Sequence, residues 1–159
     1  DLHQLAESVH ARLAQLVVAH LQYLQPLTSL MQVTKALTCL SLMSVGVTAA
    51  SFTGACNLSL ETLERLEIGH NTVGSEGVRV LLRHLTCSRL ERLSLAHTGA
   101  GVVGEVAQWL AEGDPCRLRM LDLGYCTDQP AAFTSLVRCL ERAPLLEHLE
   151  LSCPEVDDS

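Results

Sequence analysis

One apolar pattern recurs along the chain at nearly constant spacing: Leu37-x-x-Leu40-x-Leu42, Leu63-x-x-Leu66-x-Ile68, Leu90-x-x-Leu93-x-Leu95, Leu118-x-x-Leu121-x-Leu123 and Leu146-x-x-Leu149-x-Leu151. Successive copies start 26, 27, 28 and 28 residues apart. A weaker sixth copy, Leu13-x-x-Leu16-x-Val18, starts 24 residues before the first, and its His20 falls where His70 and His97 fall in later copies. A fixed period of this length marks a chain assembled from copies of one supersecondary unit.

In each copy the last two apolar positions alternate with other residues, the period of a strand that buries one face. Strands are therefore expected near 13–18, 37–42, 63–68, 90–95, 118–123 and 146–151. Between them the apolar spacing turns helical: Leu2, Leu5 and Val9; Leu27, Leu30 and Met31; Val78, Leu81, Leu82 and Leu85; Val102, Val106 and Leu110; Phe133, Leu136, Val137 and Leu140. One strand and one helix cannot bury their own apolar faces, so the units must stack strand beside strand into a curved α/β solenoid. The core is aliphatic, since the chain holds 31 leucines and only 3% aromatic residues. Each fully buried leucine contributes roughly 1.5–3 kcal/mol.

Punctuation fits this reading. Pro26 suits a first helical turn, Ser75 and Asp128 suit N-caps, and Gly113-Asp114-Pro115 ends the helix containing Trp109. The small-residue-rich stretch 48–56 predicts a short or irregular helix.

The unit resembles the leucine-rich repeat family, which reads L-x-x-L-x-L-x-x-(N/C)-x-L, and its length is similar to the ribonuclease-inhibitor-like subtype. The best copy runs from Leu63 to Leu85, with Asn71 at the ninth position, Val73 at the eleventh, and Gly77, Val78, Leu81 and Leu85 following as that subtype's helix. The other ninth positions are Val45, Thr98, Cys126 and Pro154, of which only Cys126 is a family choice. A continuous asparagine ladder is absent, so the backbone hydrogen bonding it would supply must come partly from elsewhere.

The resemblance implies a horseshoe arc of about five to six repeats, with a concave parallel sheet and convex helices. It also implies a protein-protein interaction module within a larger intracellular scaffold, an innate-immune nucleotide-binding sensor or a substrate receptor of the ubiquitin pathway. The segment 116–128 is similar to the cysteine-containing repeats of F-box proteins, but its Cys116 stands two residues before Leu118, whereas Cys87 stands three before Leu90. The whole span 1–159 reads as one domain. It opens on what reads as the helix of a preceding repeat and closes on an acidic tail from Pro154 to Ser159, and so reads as a fragment of a longer chain with flanking domains. An uncapped first repeat is an expected liability.

Charge narrows the partner. Eleven basic and 18 acidic side chains give a formal net charge of −7, which disfavours the phosphate contacts that dominate nucleic-acid affinity. No apolar run approaches the length of a membrane span. Seven cysteines without a C-x-x-C pair fit neither a disulfide framework nor a zinc knuckle, and suit a reducing compartment, cytoplasm or nucleus. The triplet Asn57-Leu58-Ser59 satisfies the glycosylation pattern, which often arises by chance.

Three constellations invite a chemical reading. Gly99-Ala100-Gly101-Val102-Val103-Gly104 is a literal G-x-G-x-x-G between a strand and a helix, with Asp122 eighteen residues beyond, as in a dinucleotide fingerprint. The same strand, turn and helix recur in other copies without the glycines, so the repeat already accounts for the context and no cofactor is expected. His70 and His97 should lie about 5 Å apart on adjacent strands, but Tyr125 stands where a third histidine would, and no metal is expected. Cys87 beside Arg89 and Cys116 beside Arg117 are the thiols with a near cation. Both fall in helix-to-strand connections that call for small apolar fillers. No nucleophile elbow, P-loop or H-E-x-x-H occurs, so no catalytic residue and no enzyme is expected.

The variable strand positions remain. The third reads Cys39, Arg65, Arg92, Met120 and His148; the fifth Ser41, Glu67, Ser94, Asp122 and Glu150; the eighth Ser44, His70, His97, Tyr125 and Cys153. Arg65, Glu67, His70, Arg92, Ser94, His97, Met120, Asp122, Tyr125, His148 and Glu150 are the expected partner-binding set, facing a protein with a basic surface. Three further readings stand beside it: an inhibitor that covers a basic enzyme, a purely architectural spacer, and columns of Glu and Arg that only neutralise one another across strands.

Overall fold

A computed structural model describes residues 15–19, 36–53, 60–85 and 89–152. In chain order these form β1 (Gln15–Ala19), β2 (Cys39–Met43), α1 (Ala50–Thr53), β3 (Arg65–Glu67), α2 (Gly74–Arg83), β4 (Arg92–Ser94), α3 (Val102–Glu112), β5 (Met120–Leu123), α4 (Pro130–Cys139), a 3-10 turn (Leu140–Arg142) and β6 (His148–Leu151). The six strands make one sheet in sequence order, and every neighbouring pair is parallel. The protein is thus α/β with an all-parallel sheet. Consecutive helices pack on one another as consecutive strands do.

Register follows the repeat residue for residue. Leu16, Leu40, Leu66, Leu93, Leu121 and Leu149 stand side by side across the sheet. Leu40, Leu66, Leu93 and Leu121 are buried, as are Leu42, Ile68, Leu95 and Leu123 two residues on. These leucines meet Val78, Leu81, Leu82, Val102, Val106, Leu110 and Leu136 from the helices in one core. Each described strand begins two residues later than its motif. The leading Leu37, Leu63, Leu90 and Leu118 are buried under the core, so their place in the pattern comes from packing and not from the strand ladder.

Several expectations are corrected in detail. Ser75 lies within the first turn of α2, whose cap is Val73, and α4 is capped by Gln129 with Pro130 at its start. Val137 is 58% exposed, leaving Leu136 as the one fully buried residue of α4. The stretch from Thr48 does carry only the four-residue α1, and the Gly113 amide donates to Trp109 O at the end of α3. Gly77 sits where a Cβ would come within 2.9 Å of Ala49 Cα, so the helix backbone approaches the preceding segment more closely than alanine permits. The expected helices over Leu2–Val9 and Leu27–Met31, together with Pro26, His20, Cys56, the Asn57 triplet, Cys87, Cys153 and the acidic tail, lie outside the described residues.

The ninth-position column resolves the missing ladder. The Asn71 carboxamide, 4% exposed, accepts from Val45 N at 3.0 Å and Val47 N at 3.1 Å, and donates to Leu42 O, Ile68 O and Gly69 O at 2.7, 2.7 and 3.0 Å. It serves the backbone of its own copy and of the copy before. In the next two copies smaller groups serve: the Thr98 hydroxyl donates to Leu95 O at 2.6 Å and the Cys126 thiol to the same carbonyl at 3.1 Å. A carbonyl with two lone pairs accepts both.

Candidate functional site

Alternation along the strands leaves one side of the sheet without helices, and there the third and fifth positions align. Arg65 pairs with Arg92 and Arg92 with Met120; Met120 pairs with His148, and Asp122 with Glu150. Arg65, Arg92, His148 and Glu150 are exposed, while Glu67, Met120 and Asp122 are half-buried. Ser94 is a correction. It is 7% exposed, and its hydroxyl donates to Asp122 Oδ2 at 2.7 Å, so it holds a neighbour in place and offers a partner little surface.

Among the described residues of this face the one ion pair runs along a strand and not across strands. Arg65 Nε and Nη2 donate to Glu67 Oε1 at 2.9 and 2.5 Å within β3. That hydrogen bond, and then the carboxylate's charge, raise the Arg65 pKa above its ordinary value. Asp122 and Glu150 have no cation partner among the described residues. Asp122 Oδ1 instead accepts from Gly124 N at 2.9 Å.

Just past the strand ends the eighth positions form a column of rings. His70 and His97 stack with centroids 4.3 Å apart and planes inclined by 21°. His97 and Tyr125 stack at 4.1 Å and 16°. His70, His97 and Tyr125 are exposed. All three, with Ser44, hold left-handed backbone, at φ 57°, 55°, 57° and 54°. Left-handed φ costs a non-glycine residue roughly 1–2 kcal/mol. The parallel ladder continues through this turn, with His70 N donating to Ala96 O and His97 N to Gly124 O, both at 2.9 Å. Matching backbone conformation and register are what place the rings face to face.

Sequence reasoning aligned these residues but missed the left-handed turn, because Ser44, His70, His97 and Tyr125 are not glycines. A weak clue existed, since histidine enters that region more readily than most side chains.

The geometry does not suit a metal. Imidazole lone pairs lie in the ring plane, so two stacked rings send them out side by side and cannot both meet an ion at the 2.0–2.1 Å typical of zinc. Among the described residues no group of three or more His, Cys, Asp and Glu could hold one. The glycine segment is occupied too: Gly101, at φ 76°, caps α3, and Gly104 N donates to Asp128 Oδ2 at 2.9 Å. A carboxylate thus sits where a bound phosphate would need the helix amides. Cys116 is 2% exposed, as suits a core filler.

No protein-family model and no curated protein matches the chain. No described helix is long and apolar enough to cross a membrane.

Proposed function

We propose that the chain is a leucine-rich-repeat recognition module of the ribonuclease-inhibitor-like kind, an arc of stacked units that binds a protein partner through the helix-free strand face. The observation that carries this reading is the exposed His70, His97 and Tyr125 column. Three rings are kept in solvent on left-handed backbone, a conformation that glycine would adopt without strain. Folding alone gains little from large exposed rings there, whereas recognition surfaces favour preorganised aromatic side chains. The module needs no catalytic step. It belongs to a larger scaffold, sensor or ubiquitin-ligase substrate receptor, and works in the cytoplasm or nucleus, where the Cys126 thiol stays reduced to donate its hydrogen bond.

Affinity capture from a cell lysate tests the reading. The chain is compared with a variant carrying Glu67→Arg, Asp122→Arg and Glu150→Arg, after both give the same circular-dichroism spectrum. Partners lost only from the variant support recognition by the strand face. Identical partner lists overturn it and favour the helical face or an architectural spacer.

Asp122 and Glu150, which have no cation partner among the described residues, favour a second reading, an inhibitor that covers a basic enzyme. It requires association that weakens steeply with salt, and binding unchanged at ~0.5 M salt would sink it.

A further inference from the structure

We draw no further inference here: the strongest candidate, the apolar groove of about 490 Å³ between α3 and α4 lined by Gly104, Ala107, Ala111, Ala131, Ala132 and Cys139, is a stripe of small residues with one cysteine in its lining, and nothing in the structure shows what covers it.

Discussion

The amide of Gly104, in the first turn of α3, donates to the carboxylate of Asp128 at 2.9 Å, across 24 residues of chain. Asp128 belongs to the following copy, just before α4 begins, and its other oxygen accepts from Gln129 N at 2.8 Å. One acid thus ties the start of one helix to the turn leading into the next and supplies negative charge to a helix N-terminus. Asp128→Ala is expected to cost about 0.5–2 kcal/mol in urea unfolding. Calorimetry should show no NAD or ATP binding to the parent chain, whose helix amide is already engaged. Saturable nucleotide binding would contradict this account of the glycine segment.

Much of this arrangement was legible in the sequence because leucine periodicity reports burial directly. The order of the strands and the alignment of Leu40, Leu66, Leu93 and Leu121 follow from the spacing alone. The repeat pattern places the strand starts two residues early because Leu63 and Leu90 are as buried as Leu66 and Leu93. Hydropathy marks the core and does not distinguish a residue in the ladder from one packed beneath it. The aligned Arg, Glu and ring columns were legible for the same reason as the register. Left-handed φ at His70, His97 and Tyr125 was not, since backbone conformation at a non-glycine residue leaves little trace in composition. Nor was the burial of Ser94, whose hydroxyl donates to the Asp122 carboxylate.

Asn71 gives the sharpest stability test. Its carboxamide makes five hydrogen bonds to backbone groups in two copies. Asn71→Ala leaves buried amides and carbonyls without that partner, and should destabilise the chain by roughly 2–4 kcal/mol, since each orphaned buried polar group costs about 1–3 kcal/mol before relaxation. Thr98→Val removes one donor from a carbonyl that Cys126 still serves, and should cost about 1 kcal/mol. Equal losses in denaturant melts would mean that the ninth-position column does not carry the backbone as described.

His97 separates backbone strain from ring stacking. Both His97→Ala and His97→Gly remove its contacts with His70 and Tyr125, but only alanine must keep a side chain at φ 55°. Glycine occupies that region without penalty, so His97→Gly should be the more stable of the two by about 1 kcal/mol. Thermal melts of the pair measure this difference with stacking cancelled. An alanine variant as stable as the glycine variant would show that the turn is not strained.

Burial is graded along the sheet, and the same substitution should therefore cost less at its last strand. Leu93 on β4 is 1% exposed, with β3 and β5 on either side. Leu149 on β6 occupies the same repeat position, pairs with β5, and is only partly buried against the core. Leu93→Ala leaves a cavity between packed neighbours and should cost about 2–5 kcal/mol. Leu149→Ala removes atoms that already meet solvent on one side, and should cost about 1–2 kcal/mol. Equal costs by urea unfolding would mean that β6 is covered in solution as fully as β4. In that case the exposed face of Val137 and Leu149 would have to be packed against further structure.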